Sequence, residues 1–576
     1  MKILLIYPYW LEERIRTEDV VVVPIGVYYV AALLKENGYD TEILNWHNIN
    51  ETPHKIREIL IEKKPDVIGF SILQANRWGG IEIARVAREI NPDVKIVFGG
   101  PSPTFLWKHF LTHFPQIDFV VVGEGEYPFL NLVRCIEKAD YAGIEDIDGI
   151  AFRKDGRILK TKDPEPIQNL DALPSPAKYF EYRHLYLTRG CTGKCKFCGS
   201  PLFWGPRVRS HSTEYFVEQL ELLYNKGVTF FYFSDDTFTF SKKDVIEICK
   251  KILQKKLIIS WVAISRVNAV SEDVICWMRK AGCIQISYGV ESGSEKIRKT
   301  LNKRIKTDQI EKAFKTTGEH GILPRAYFIY GCPGESRETI RESLELIYKI
   351  KPLVVHFFIL SIFPGTALYS EYKKKFKVTD DVWLERIEEI KYFETDPRLS
   401  REQVLSFGRE LRSGYYAHLP GIVDGIRLID KPELYPLHSD FCSRLGMTFD
   451  HGDYSQIDDI KNTEIIAESL YTKALEFHPS PRAYLGLGIL KQKAADHTAA
   501  IEILSRGVEF FPDNMQISLC LAISHMNTGA FDRALAHLLP FQNSKETLGF
   551  IMSCYEATGD AEKAALFRKK LQSVSS

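Results

Sequence analysis

The 576-residue sequence lacks three things: a charge excess, a membrane-length apolar run and an evenly spaced cysteine framework. Lysine plus arginine number 75, and aspartate plus glutamate also 75, so nothing marks a basic face for nucleic acid or an acidic tail. That balance argues against a nucleic-acid partner. The longest uncharged stretch, Val20–Leu34, is interrupted by Pro24 and Gly26 and falls short of the ~20 residues that span a bilayer. No membrane span is expected. Met1–Trp10 has no small-residue cleavage site and reads as a first strand, which disfavours secretion. The 11 cysteines suit a reducing compartment, so the expected location is the cytoplasm. The length is too great for one core and implies three or four domains.

What is present centres on Cys191-Thr192-Gly193-Lys194-Cys195-Lys196-Phe197-Cys198, which follows the apolar run His184–Thr188. Thiolates at such close spacing let one loop wrap an iron–sulfur cluster. A cubane has four irons, so three cysteines would leave one open to a small molecule. Zinc normally takes four protein ligands, and no second Cys/His pair with suitable spacing follows. Three unrelated structural cysteines are the plain alternative. The other cysteines downstream, among them Cys249, Cys283 and Cys332, are scattered and read as small core residues, so auxiliary clusters are not expected.

This motif resembles that of the radical S-adenosylmethionine (SAM) superfamily. The resemblance implies a 4Fe–4S cluster on Cys191, Cys195 and Cys198, with SAM chelated to the open iron. One electron from the cluster would cleave SAM to methionine and a 5′-deoxyadenosyl radical. A low-potential donor, flavodoxin or ferredoxin, is the implied partner.

Residues 1–140 alternate strand-like and helix-like segments, the pattern of a doubly wound, flavodoxin-like parallel sheet. Such sheets bind ligands at the carboxyl ends of their strands. The loops expected there are Ser71-Ile72-Leu73-Gln74, Gly99–Thr104 and Gly123-Glu124-Gly125-Glu126. As a set, together with Pro24–Tyr29 and Gly38-Tyr39, they resemble the cobalamin-binding domain that precedes many radical SAM barrels. The implied cobalamin contacts are Ser71, Gln74, Gly99, Gly100, Thr104, Gly123 and Glu124. Many cobalamin folds offer cobalt a histidine from the loop after the first strand. Here no histidine precedes His47, and His47 itself reads better as a hydrogen-bonding residue. Radical SAM relatives usually leave that face without a protein histidine.

Residues 141–183 read as a β-hairpin turning at Asp155-Gly156, then a Pro-rich linker. Residues 184–390 hold six apolar runs alternating with amphipathic helices, which predicts a partial (βα)6 barrel with its chemistry at the strand C-termini. Ser234-Asp235-Asp236 ends the second strand, where relatives bind the SAM amino group; a helix cap is the alternative. Gly289-Val290-Glu291-Ser292-Gly293 ends the fourth, where relatives hold ribose or the SAM carboxylate; a turn with a capping glutamate is the alternative. Arg266, after the third strand, is a candidate carboxylate partner or a surface ion pair. No catalytic proton-transfer residue can be named.

Residues 391–460 are expected to be a helical extension. In residues 461–576, Ala467, Tyr471 and Pro479 recur at Ala500, Leu504 and Pro512, close to the tetratricopeptide period. The expectation is an all-α repeat that binds a partner or packs against another copy. The fold class expected for the whole chain is therefore α/β with this C-terminal helical repeat. The order of parts resembles the cobalamin-dependent radical SAM class, implying methylation of an unactivated carbon in a small molecule. Radical cyclisation, oxidation or rearrangement without methyl transfer, as in enzymes resembling the anaerobic tetrapyrrole cyclase, is the second reading. A non-catalytic iron–sulfur scaffold or redox sensor is the third.

Overall fold

The computed structural model describes residues 1–10, 25–46, 49 and 52–575. The chain forms two compact units, one of residues 1–316 and 324–412, the other of residues 317–323 and 413–576. His47 and the segment 11–24, including Pro24, lie outside the described residues.

In the first unit, β1 (Lys2–Tyr7), β2 (Asp40–Asn45), β3 (Val67–Ser71), β4 (Lys95–Gly99) and β5 (Phe119–Val121) pair in the order β2-β1-β3-β4-β5, all parallel. They alternate with α1 (Ile25–Glu36), α2 (His54–Lys63), α3 (Arg77–Ile90), α4 (Pro101–His113) and α5 (Glu126–Glu137). Helices cover both faces, which is why β1 reads as an unbroken apolar run with Ile3, Leu4 and Ile6 fully buried. The strand order reverses between β1 and β3, opening a crevice at the carboxyl edge.

Two features depart from the sequence reading. The hairpin β6 (Ile150–Lys154) and β7 (Arg157–Lys160) is not part of a linker: β6 pairs antiparallel with β5 and completes a seven-stranded sheet. It covers what would otherwise be an open edge on a strand of three residues. Asp155 and Gly156 turn it at φ 50° and 74°, as a primed turn needs. Secondly, Gly99–Thr104 is not a continuous loop. Pro101 opens α4, where its fixed φ and missing N–H cost nothing.

The second sheet of this unit is the partial barrel. β8 (His184–Leu185) stops after two residues, and the expected run to Thr188 breaks there. β9 (Thr188–Arg189) leaves the sheet and pairs antiparallel with β10 (Arg209–Ser210). β11 (Phe230–Phe233), β12 (Ser260–Ser265), β13 (Cys283–Glu291), β14 (Leu323–Tyr330) and β15 (Val354–Ile359) follow, in the sheet order β15-β14-β13-β12-β11-β8. Six strands form an open sheet whose C-terminal ends carry the loops of interest.

The second unit is helical. It includes Tyr435–Asp450 and a succession from Thr463–Phe477, Pro481–Lys493 and His497–Phe510 to Ala561–Ser575. Ala467, Ala500 and Ala534, at intervals close to the repeat, are fully buried, because small residues there let neighbouring helices approach. Gly486 is part of the same packing: a Cβ would collide with the Tyr471 ring. Ser480, Asp496 and Asn514 cap successive helices with side-chain acceptors. Among the described residues, no helix is long and apolar enough to cross a membrane.

Candidate cofactor site

The carboxyl edge of the first sheet and the barrel face share one cavity of about 380 Å³. From the first sheet come Ser71, Gly99, Gly100 and Gly123; from the barrel come Thr188, Ser234 and Asp236, with Tyr186, Phe203 and Trp204 as an aromatic wall. Gly26 of α1 also lines it, and a Cβ there would meet nothing within 4 Å among the described residues. Gly100 sits at φ 99° with the Ile72 backbone 2.9 Å from where a Cβ would be, so only glycine fits that corner. A wide, mainly apolar space cradled by bare backbone suits a large, flat cofactor such as a corrin.

Not every expected residue of the first sheet faces this space. Gln74 is buried and accepts from Ser102 Oγ at 2.7 Å, its amide nitrogen having no hydrogen-bond partner among the described residues. Thr104 Oγ1 donates to Gly100 O at 2.8 Å and accepts from Gly123 N at 3.0 Å, tying two of the loops together. Glu124 lines the cavity but is held by Arg209, by Arg189 at 3.3 Å and by the Ile167 backbone at 3.0 Å. Neither arginine was identified in the sequence. Both lie on strands too short to show a pattern.

At the cysteine loop, all three thiols are partly exposed and free of disulfides. The loop is pinned by Lys196 N to Leu301 O at 3.0 Å and by Asn302 Nδ2 to Lys194 O at 2.5 Å. Burial raises Cys195, and burial with the charges of Asp236, Cys195 and Cys191 pushes Cys198 up to about 12. Arg266 reaches this loop, its Nη1 at 3.8 Å from Cys191 Sγ. Gly193 makes room for it, since a Cβ there would sit 2.5 Å from that nitrogen. Three thiols with a guanidinium alongside fit an anionic iron–sulfur cluster, which needs deprotonated sulfur.

The two candidate aspartates do different things. Asp235 is 1% exposed, and its Oδ1 accepts from Leu187 N at 3.0 Å, Thr188 N at 2.6 Å and Thr188 Oγ1 at 2.7 Å. It shapes the bend that carries the chain from β8 towards the cysteines. Burial raises it to about 7 against those donors. Asp236 lines the cavity, accepts from Ser200 Oγ at 2.5 Å and is raised by burial. The neighbouring Thr237 Oγ1 lies 3.8 Å from Cys191 Sγ.

Glu291 ends β13 at φ 68° and is ion-paired with Lys303 at 2.7 Å, both side chains under a tenth exposed. The pair packs over Gly289, where a Cβ would meet the Glu291 carboxylate and lie 2.8 Å from Lys303 Nζ. Ser292 is buried against Ser343 at 3.3 Å and caps Ser294 N at 3.1 Å, a local structural contact. Lys303 lies in a polar stretch after the strand and gave no sequence signal. At the end of β14, Glu335 accepts from the backbone of Gly331 and Cys332, and burial pushes it up to about 8.

Residues 15–133 match the B12 binding domain family and residues 185–347 the radical SAM superfamily. An uncharacterized methyltransferase of Pyrococcus horikoshii is 33% identical over 383 residues, which is 64% of this chain and 83% of that protein. The anaerobic magnesium-protoporphyrin IX monomethyl ester cyclase of Rubrivivax gelatinosus is 28% identical, covering 62% of this chain and 67% of its own length. Among solved structures, the radical SAM methyltransferase TsrM from Kitasatospora setae, with cobalamin and a 4Fe–4S cluster bound, shares the fold. Its TM-score is 0.59 at 16% identity, over 83% of this chain and 99% of that one. The cobalamin-dependent radical enzyme OxsB gives a TM-score of 0.57 at 16% identity, over 86% and 80%. With both cofactor domains matched in the order in which their loops meet at one cavity, the chain belongs to the cobalamin-binding radical SAM enzymes, in the family of methyltransferases.

Proposed function

We propose that the protein methylates an unactivated carbon of a small metabolite, lipid precursor or natural product, using SAM, a 4Fe–4S cluster and cobalamin. The observation that carries this reading is the single cavity, lined by the carboxyl edges of both sheets. When bound, the cluster with SAM supplies a hydrogen-abstracting radical, and cobalamin supplies the methyl group.

The chain's own part is to hold and orient. Cys191, Cys195 and Cys198 would ligate the cluster, with Arg266 balancing thiolate charge. Asp236, facing the cavity, would accept from the SAM ammonium. Glu291, already paired with Lys303, would share its carboxylate with ribose hydroxyls. Gly26, Gly99, Gly100 and Gly123 would let the corrin approach the backbone, and Tyr186, Phe203 and Trp204 would exclude water from it. Electrons would come from a flavodoxin or ferredoxin in the cytoplasm. The tetratricopeptide-like helices would offer a surface for a protein partner or a second copy.

The cyclase named above, 28% identical, supports a second reading in which SAM is cleaved without methyl transfer. The test is anaerobic, reconstituted protein with cobalamin, reductant and SAM, followed by chromatography. The methyltransferase reading expects both 5′-deoxyadenosine and S-adenosylhomocysteine, and neither in Cys195→Ala. Deoxyadenosine alone, with a labelled candidate substrate present, favours the second reading. An intact cluster with neither product leaves a scaffold.

A further inference from the structure

We propose that His109, His113 and Asp381 form a divalent d-metal site of the zinc class that clamps α4 to the segment following the barrel. The two histidines are four residues apart on α4, so they share one helix face. Asp381 comes from the short 3₁₀ turn Asp380–Leu384. His113 Nε2 lies 2.9 Å and His109 Nδ1 3.8 Å from Asp381 Oδ1. All three ligand atoms lie within 4.8 Å of one another. A tetrahedral zinc ion with bonds near 2.0–2.1 Å sets its ligand atoms about 3.3 Å apart, and these two distances bracket that edge.

The second, independent observation is His109 itself. Its side chain is 2% exposed, and among the described residues Nδ1 has no hydrogen-bond partner although it points at the carboxylate. A buried polar atom without a partner is costly, and a shared cation would satisfy it. Asp381 is also pre-set, its backbone N–H donating to Thr379 Oγ1 at 3.2 Å. The adjacent Asp380 is committed elsewhere, to Tyr369 and Lys373 at 2.7 Å each, so the site has three protein ligands. Two imidazoles and one carboxylate suit a borderline divalent ion better than calcium or magnesium. Arg77 lies close enough to oppose a cation electrostatically, but its guanidinium donates to the carbonyls of Gln74, Trp383 and Glu385.

The position gives the site a consequence. The other end of α4 begins at Gly100 and Pro101, which line the large cavity. Non-helical backbone at Leu106 separates the two ends, so an ion at the C-terminal turn would fix the second half of α4 against the Asp380–Leu384 turn.

The experiment uses the full chain loaded anaerobically with cluster and cobalamin, so that the cluster thiols are occupied. It is dialysed against buffered free Zn²⁺, and bound zinc is counted by mass spectrometry for wild type, His113→Ala and Asp381→Asn. Both substitutions fall at exposed or half-exposed positions, and unchanged cobalamin stoichiometry verifies the fold. One zinc per wild-type chain, with affinity at least tenfold weaker in either variant and a zinc-dependent rise in thermal midpoint in wild type alone, supports the site. Equal zinc binding in all three proteins, or none in wild type at micromolar free Zn²⁺, overturns it.

Discussion

Arg189, two residues ahead of Cys191, is ion-paired with Glu126, the first residue of α5 at the edge of the cavity. The arginine also meets Glu124 at 3.3 Å and the Tyr186 hydroxyl, and is 3% exposed. The segment that leads to the cluster cysteines is thereby fastened to the loop expected to cradle cobalamin. Removing the guanidinium would strand the Glu126 carboxylate in the interior, which costs about 3–5 kcal/mol. Arg189→Ala is expected to lose that much stability in urea and to lower both iron and cobalamin content after reconstitution. Glu126→Gln, which keeps a hydrogen bond and removes the charge, is expected to cost less. A loss under about 1 kcal/mol for Arg189→Ala would mean that the carboxylates find water.

Gly26 separates cofactor binding from stability. It lies in the first turn of α1, lines the cavity, and has free space among the described residues where a Cβ would be. Replacing glycine in a helix stabilises it by roughly 0.5–1 kcal/mol. Gly26→Leu is therefore expected to unfold no earlier than wild type while its cobalamin affinity falls at least tenfold, read by absorbance titration. Undiminished cobalamin binding would show that the corrin does not occupy this side of the cavity.

Much of this arrangement was legible in the sequence because it follows period and punctuation. The five parallel strands of the first sheet and the six of the barrel appear as apolar runs, whereas the cysteine loop follows β9, which has left the barrel sheet, and not β8 as expected. The missed parts are those where partners lie far apart in sequence. Arg189 and Arg209 sit on two-residue strands with no periodicity, yet they neutralise Glu124 and Glu126. Lys303 follows β13 in a lysine-rich stretch that reads as surface, yet it is buried against Glu291. Gly289, expected beside a ligand, also lies against this ion pair.

The Glu291–Lys303 pair predicts a measurable coupling. Each partner is under a tenth exposed, so either single removal leaves an uncompensated charge at a cost of about 3–5 kcal/mol. Removing both together should cost less than the sum of the two. Lys303→Met, Glu291→Gln and the double variant form the cycle, with urea midpoints as the measurement and a coupling of about 0.5–3 kcal/mol expected. Additive losses would show that the two side chains do not depend on one another.

Asp235 and Asp236 are adjacent in sequence but predict opposite phenotypes. Asp236 faces the cavity, so Asp236→Asn is expected to keep the cluster and to lower SAM cleavage at least tenfold. Asp235 is turned inward onto the Leu187–Thr188 bend, and an asparagine oxygen there can accept the same donors. Asp235→Asn should therefore keep most cleavage activity and change the pH dependence of stability instead. Burial lifts Asp235 from 3.8 to about 7, so between those values the folded protein holds a proton that the unfolded chain releases. The stability this group contributes is full below pH 4 and is lost as pH rises to about 7. Asparagine does not titrate, so the stability of wild type relative to Asp235→Asn should fall between pH 5 and pH 7 and level off above it. Urea unfolding of cluster-free protein at pH 5, 7 and 8 reads this directly. Parallel curves for the two proteins would mean that the three donated hydrogen bonds hold the carboxylate ionised throughout.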